Sequence, residues 1–150
     1  MKQSSRQSAL LMTAITLHNI PEGMAVGLAF ALAASREGVA AAAALALGIG
    51  IQNFPEGAAI ALPLRQEGCS RRRAFLSGML SGSVEPGFGV RGVLSAAVAQ
   101  PVMPGLLSFS AGAMLYVVVE ELIPQAHSRA GTCGFVGGFL IMMILDVALG

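Results

Sequence analysis

Two short stretches of this sequence combine residue types that bind divalent metals. The first reads "HNIPEG" and the second reads "QNFPEG", and each interrupts a run made almost entirely of Ala, Leu, Ile, Val and Gly. Because positions i and i+4 share one face of a helix, the first and fifth residues of each stretch lie one above the other. The four side chains placed in this way are His18 and Glu22 in the first stretch and Gln52 and Glu56 in the second.

Each stretch also contains a proline that frees a backbone carbonyl group. Pro21 and Pro55 have no N–H, so the carbonyl oxygens of Leu17 and Ile51 lose their usual helical partners. Within a lipid bilayer such an oxygen must find a donor, a water molecule or a cation. Ligand pathways through membranes are commonly built from helices interrupted in this way near the bilayer midplane.

A third apolar run repeats the arrangement in "SGSVEPG", where Glu85 precedes Pro86. Three carboxylates are then expected at comparable depth, and a charge at mid-bilayer costs at least about 2.5–3.5 kcal/mol on insertion scales. A divalent cation is the simplest compensating partner. The mixed nitrogen and oxygen donors suit Zn²⁺ best, with Fe²⁺, Mn²⁺, Co²⁺ and Cd²⁺ as further candidates. Cu⁺ is not expected, because neither paired thiolates nor a Met cluster lies near the prolines.

The same polar residues also have a purely structural interpretation. A neutral Glu can hold membrane helices together by bonding to a neighbouring carbonyl, and this explanation fits Glu85 better than it fits the two repeated stretches. Asn19 and Asn53 suit helix-to-helix hydrogen bonding nearly as well as metal contact.

Composition and the placement of charge indicate a membrane protein with several spans. The 150 residues are 55% hydrophobic and 11% charged, whereas soluble domains carry about 25% charged residues. Most of the acids fall within or beside apolar runs, namely Glu22, Glu56, Glu85, Glu120, Glu121 and Asp146. No basic stripe with interleaved aromatic residues occurs, so nucleic acid is not an expected partner, whereas the lipid bilayer is.

Five runs are long enough to cross a bilayer, which takes roughly 20 mainly apolar residues. They cover residues 8–34, 39–64, 74–99, 105–124 and 133–149, joined by "SREG", "RQEGCSRRR", "QPVMP" and "PQAHSRAGT". Because the connections are short, consecutive helices are expected to be antiparallel neighbours, and the many small residues of the spans permit close packing. The predicted fold class is all-α, a polytopic transmembrane helical bundle forming a single domain over residues 1–150.

The basic residues predict the orientation of this bundle. Arg36 is the sole basic residue in the connections on one side. The opposite, N-terminal side collects Lys2, Arg6, Arg65, Arg71, Arg72, Arg73 and Arg129. The positive-inside rule therefore predicts a cytoplasmic N-terminus and a C-terminus outside.

Five segments together resemble the Zrt/Irt-like (ZIP) metal transporters, in particular their bacterial, GufA-like branch. The segments read "TLHNIPEGMAVGLA", "GIQNFPEGAAIALPL", "SGSVEP", "YVVVEELIPQAH" and "GFLIMMILDVALG". A histidine-bearing HNxPEG helix followed by a second PEG helix is highly specific to that family. The resemblance covers nearly the whole chain after about residue 9. It implies transport of divalent metals, chiefly zinc, into the cytoplasm across a bacterial inner or plasma membrane.

The resemblance also implies roles for individual residues. Members of the family have eight helices with an internal inverted repeat and a metal site between the fourth and fifth, and this chain matches helices four to eight. The implied primary metal site consists of His18, Glu22, Gln52 and Glu56, and the implied second, weaker position consists of Asn19, Asn53 and Glu85. Weaker binding is expected there because many relatives carry an acid or a His at the position of Asn53.

Three further expectations follow from the resemblance. Glu120 and Glu121 could receive metal leaving the central site, with interfacial solvation as the alternative. The first three family helices have no counterpart in this sequence, so a separate N-terminal half or a second copy of the chain is the expected partner. Arg91 lies within the third span, where it would weaken metal binding if it paired with a carboxylate.

Two other functions compete with metal transport. The carboxylates could form a proton relay or an organic-substrate carrier, although neither requires the imidazole of His18. Alternatively the chain is a non-transporting or degenerate membrane subunit whose acids only pair helices, as the missing helices and Arg91 would suggest. Enzymatic activity is not expected, since no HExxH motif occurs and zinc would be cargo rather than a cofactor.

Overall fold

The protein is a bundle of helices, described here for residues 2–149 by a computed structural model. The side chains of residues 2–6, 125, 146 and 149, including that of Asp146, lie outside the description. The helices are α1 (Lys2–Leu32), α2 (Arg36–Gln66), α3 (Arg71–Gly82), α4 (Val84–Leu94), α5 (Ala96–Val117), α6 (Ile123–Gln125) and α7 (Arg129–Leu149), with a π-helical turn over Val118–Leu122. Since the described residues contain no strand, the predicted all-α fold class is confirmed.

Serine side chains begin three of these helices. Ser35, Ser70 and Ser128 precede α2, α3 and α7, and the hydroxyl oxygen of each accepts a hydrogen bond from the backbone N–H three residues later, at 3.0, 3.3 and 3.0 Å. Such a cap satisfies one of the four N–H groups that a helix start leaves without an internal partner. The caps explain why the connections can be as short as three or four residues.

The third predicted span, 74–99, is interrupted and ends earlier than predicted. Its residues form α3 and α4, separated at Ser83. Pro86 is the third residue of α4 and has no N–H to offer the carbonyl of Gly82, so the helical ladder breaks one turn before the proline. The prolines of the two PEG stretches, by contrast, lie inside the uninterrupted helices α1 and α2.

The predicted connection "QPVMP" is wrong, because those residues lie inside α5. This helix begins at Ala96, directly after a single connecting residue, Ser95. Pro101 and Pro104 are exposed members of the helix. Proline is a weaker sign of a helix end in membrane proteins than in soluble ones, since neighbouring groups and local adjustments satisfy the freed carbonyls.

Arg91 occupies the last turn of α4 rather than the middle of a span. Its side chain is exposed, and the guanidinium carbon lies 5.2 Å from the centre of the Phe88 ring. A cation is favourable both over an aromatic face and at a helix C-terminus. Pairing of Arg91 with a carboxylate, the condition under which it would weaken metal binding, has no counterpart among the described contacts.

Helix α1 lies at the centre of the bundle and packs against α2, α3, α4 and α5, while α7 packs against α2. The buried apolar cluster consists of Leu11, Ile15, Ile60 and Val117. Large apolar side chains point outward instead, with Phe54 82% and Leu94 81% exposed, whereas Asn19 is fully buried. Apolar residues outside and polar residues inside are typical of a bundle whose surroundings are lipid.

Two described helices are long and apolar enough to cross a membrane by length and composition, those over residues 36–66 and 96–122. Residues 129–145 form a shorter apolar helix. The count of five spans stays a prediction.

The polar motifs lie near the midpoints of their helices. Glu22 and Gln52 are central in α1 and α2, which have 31 residues each. Glu85 directly follows the break between α3 and α4, and Ser110 is central in the helix over 96–122. Gln52 bonds to Glu22, Ser110 contacts His18 and the Glu85 backbone lies against Gly23, so the four positions meet at one level of the bundle.

Candidate metal centre

Three ligand-bearing side chains from two helices converge at this level. His18 and Glu22 stand one turn apart on α1, with Nε2 of the imidazole 3.1 Å from Oε1 of the carboxylate. Glu56 reaches the same point from α2, so that one ligand atom from each of the three residues lies within 4.8 Å of the others. The i, i+4 spacing read from the sequence thus produces the expected shared face.

Two hydrogen bonds orient this cluster. The amide Nε2 of Gln52 donates to Oε1 of Glu22 at 2.7 Å, which ties α2 to α1. The hydroxyl of Ser110 on α5 lies 2.6 Å from Nδ1 of His18, leaving Nε2 to face Glu22. Sequence reasoning missed Ser110, because it lies 92 positions from His18 and no local pattern links the two residues.

The carboxylates of the cluster are incompletely satisfied. Glu22 Oε2 and Glu56 Oε2 are buried and have no hydrogen-bond partner among the described residues. Among the described residues, no Lys or Arg forms an ion pair with the carboxylate of Glu22 or of Glu56. The ion pair found there joins His18 to Glu22. A buried carboxylate oxygen without a partner is costly, so these atoms are suited to bind a cation.

The spacing of the three atoms suits a single metal ion. Zinc binds imidazole nitrogen and carboxylate oxygen at about 2.0–2.2 Å, which puts neighbouring tetrahedral ligands about 3.4 Å apart. The ligand atoms of His18, Glu22 and Glu56 lie within 4.8 Å of one another, so shifts of about 1 Å would close them around an ion. His18, Glu22 and Glu56 provide three of the four ligands of a tetrahedral site, and Gln52, the fourth residue of the predicted site, contacts Glu22 beside them.

The residues of the predicted second position form two separate contacts. Asn53 donates through Nδ2 to Oε2 of Glu85 and, at 3.2 Å, to the carbonyl of Ile49. Asn19 instead donates to the carbonyl of Ser81 at 3.0 Å, in the last turn of α3. No described hydrogen bond joins Asn19 to the other two.

The second position nevertheless retains free acceptor atoms. The oxygen atoms without a partner are Asn19 Oδ1, Asn53 Oδ1 and Glu85 Oε1. Asn53 and Glu85 also line a groove of about 500 Å³ between α2 and the α3–α4 pair, whose other walls are largely apolar. This pair is therefore accessible from the side of the bundle.

The glycine of each PEG stretch permits a close helix crossing. Gly23 lies against the backbone of Glu85, and a Cβ atom built on it would stand 2.9 Å from the Glu85 carbonyl carbon. At the crossing of α2 and α3 the tightly packed glycine is Gly78, whose added Cβ would stand 3.1 Å from the Gly57 carbonyl carbon, whereas a Cβ on Gly57 would make an ordinary contact 3.5 Å from the Gly78 carbonyl oxygen. Small residues let membrane helices approach this closely, and the first crossing brings the backbone of Glu85 against α1.

Glu120 and Glu121 lie in the π-helical turn that directly follows α5. Pro124 has no N–H to give the carbonyl of Glu120, and the N–H of Ile123 bonds to the carbonyl of Val118, five residues back. Helical turns of this kind are frequent at functional sites. The turn separates the two acids: Glu120 is exposed, whereas Glu121 is half-buried with an unpartnered Oε2.

The chain matches known proteins over nearly its whole length. A family model described as "ZIP Zinc transporter" matches residues 1–146. The protein "Zinc transporter ZIP11" of Bos taurus is 49% identical over 153 residues, covering 98% of this chain and 45% of that protein. "Zinc transporter GufA" of Myxococcus xanthus is 45% identical over 148 residues, covering 95% of this chain and 57% of that protein.

A third relative also matches nearly the whole chain. "Zinc transporter ZIPB" of Bordetella bronchiseptica is 43% identical over 148 residues, covering 94% of this chain and 46% of that protein. The chain thus spans about half the length of the curated relatives it matches. The match to the family model confirms the resemblance seen in the PEG stretches, and the chain belongs to the ZIP zinc transporter family of membrane proteins.

Proposed function

We propose that this chain is the metal-binding part of a transporter that moves divalent metal, most simply zinc, into the cytoplasm. The observation that carries the proposal is the convergence of His18, Glu22 and Glu56 from two helices at mid-bundle. An imidazole with two carboxylates is a donor set that zinc readily accepts. The names of the three relatives support zinc as the cargo, since all three are called zinc transporters.

Helix pairing alone explains the cluster less well than metal binding does. If the carboxylates served only to join helices, their buried oxygen atoms would be expected to find donors. One oxygen of Glu22 accepts from Gln52, yet its second oxygen and one oxygen of Glu56 remain without a described partner. A cation would satisfy both atoms and offset the charge at once.

The route of the ion follows from the position of the remaining acids. We propose that Asn53 and Glu85 form a weaker adjoining position, because each keeps a buried oxygen free beside the groove. Of the two acids in the π-helical turn, Glu121 is the better candidate for the exit path, since it is the half-buried one. The excess of basic residues on the N-terminal side supports a cytoplasmic N-terminus.

We further propose that residues 1–150 form one transmembrane unit equivalent to the last five helices of the family fold. The relatives are about twice as long as the matched region. The remaining helices of the family fold, or a second copy of this chain, would then supply the other wall of the pathway. Other divalent ions, such as Fe²⁺, Mn²⁺, Co²⁺ and Cd²⁺, fit the same donors and are candidate cargo.

Uptake of radioactive zinc by cells that express the chain tests transport, and zinc titration of the purified protein tests the site. The informative variants are His18→Ala and Glu56→Gln. His127→Ala is the matched control, because His127 is the other histidine of the chain and lies exposed beside α7. Binding that falls in the first two variants and persists in the control supports the site; equal binding in all three refutes it.

A further inference from the structure

Ser110 is a buried polar residue on α5, only 4% exposed, whose hydroxyl contacts the imidazole of His18 across the helix interface. We propose that Ser110 is a positioning residue that holds the His18 ring so that Nε2, and not Nδ1, is presented to the metal. The inference rests on the proposed function, because it assigns a role within the same metal centre.

The geometry fixes the two ring nitrogens differently. Nδ1 lies 2.6 Å from the Ser110 hydroxyl, while Nε2 points to Glu22 at 3.1 Å. The same hydroxyl also lies 3.4 Å from the backbone carbonyl of His18. A histidine that binds metal through one nitrogen almost always has its other nitrogen held by such a partner, which sets the orientation of the ring.

Ser110, like Ser8, whose hydroxyl donates to Glu67, differs from most other hydroxyl residues with a described hydrogen bond in helix interiors. Serine and threonine in membrane helices usually bond back to a carbonyl of their own helix. Several hydroxyl groups here do so, namely those of Thr13, Thr16, Ser81, Ser83 and Ser95. The described hydrogen bonds of Ser110 instead both reach His18, which is 92 positions away in the sequence.

A hydroxyl group suits this task because it can both donate and accept. With metal on Nε2, the proton of the neutral ring sits on Nδ1 and is donated to Ser110 Oγ. Without metal, Nε2–H can donate to Glu22 while the Ser110 hydroxyl donates to Nδ1. In both ring tautomers Nδ1 therefore keeps its hydrogen bond to Ser110. The imidazole ring need not rotate when the ion arrives or leaves.

The experiment compares Ser110→Ala with Ser110→Thr, which keeps the hydroxyl, and with Ser108→Ala. Ser108 is exposed on the same helix, two residues away, so its substitution controls for loss of any serine from α5. The measurement is Zn²⁺ affinity of the purified, folded protein by competition with a chelator. The ¹⁵N shifts of labelled histidine are recorded in a His127→Ala background, where His18 is the sole imidazole.

Ser110→Ala is expected to lose about 10–100-fold in zinc affinity, the usual effect of removing such a partner. Its ¹⁵N spectrum is expected to show metal on both ring nitrogens, whereas Ser110→Thr and Ser108→Ala keep metal on Nε2. In a His18→Ala background, Ser110→Ala is expected to cause no further change in zinc affinity, because Ser110 affects zinc binding only by orienting the imidazole ring of His18.

Two results would overturn the inference while leaving the metal site intact. One is a Ser110→Ala protein that binds zinc through Nε2 as tightly as Ser108→Ala does. The other is a loss of affinity that is equally large with and without His18. If His18→Ala, as the sole substitution, leaves zinc affinity unchanged, the proposed metal site is refuted, and the inference about Ser110 is refuted with it.

Discussion

Gly23→Ala places a methyl group at the crossing of α1 and α4. The added Cβ would lie nearest the carbonyl oxygen of Glu85 and 2.9 Å from its carbonyl carbon, whereas ordinary contact begins at 3.4 Å. Both atoms belong to the backbone, so no side-chain rotation can relieve the overlap. The α4 backbone must therefore retreat from α1 by at least about 0.5 Å, and the Glu85 side chain must move with it.

The expected cost combines two opposing effects. Overpacking a close contact usually costs about 1–3 kcal/mol in the free energy of unfolding, while replacing Gly by Ala inside a helix returns about 1 kcal/mol. Gly23→Ala should thus range from neutral to about 2 kcal/mol less stable. Gly87→Ala on α4 is the matched control, since nothing lies within 4 Å of its added Cβ and the helix effect alone remains.

Unfolding of the two variants in the same detergent measures the difference. Gly23→Ala is expected to be about 1–3 kcal/mol less stable than Gly87→Ala, since the overpacking term is absent from the control. The contact of Glu85 with Asn53 should also weaken, while zinc binding at His18, Glu22 and Glu56 should persist, because none of those three residues lies on α4. Equal stability of the two variants would refute the close crossing.

Three further predictions concern stability. Asn19→Ala removes the donor to the Ser81 carbonyl at a fully buried position, and should lower the free energy of unfolding by about 1–3 kcal/mol; an unchanged value would contradict the contact. Ser128→Ala removes the cap of α7 and should cost about 0.5–2 kcal/mol, whereas Ser108→Ala, at an exposed position that caps no helix, should cost far less. Zinc at 100 times its dissociation constant should raise the free energy of unfolding by about 2.7 kcal/mol, reversibly with a chelator. Glu56→Gln should abolish most of that gain, and a gain of full size would argue against Glu56 as a ligand.

Much of the site could be predicted from local sequence periodicity. The i, i+4 spacing placed His18 above Glu22 on α1, and this conclusion depends on helix geometry alone. That Glu56 would join them was implied by the resemblance to the family, because it requires α2 to pack on α1.

The remaining features depend on contacts between distant parts of the chain. Ser110 approaches His18 only because α5 packs on α1, and no periodic pattern links the two positions. The turn at Ser95 was missed because Pro101 and Pro104 suggested a connection later in the sequence. Likewise, the proximity of Gly23 to the Glu85 backbone is a property of the helix crossing and not of either helix.

X-ray absorption at the zinc edge of the zinc-loaded chain tests the central claim most directly. The account predicts nitrogen and oxygen ligands at about 2.0–2.2 Å with one imidazole, which His18→Ala removes and His127→Ala retains. A spectrum with sulfur at about 2.3 Å, or one that His18→Ala leaves unchanged, would contradict a zinc site built from His18, Glu22 and Glu56.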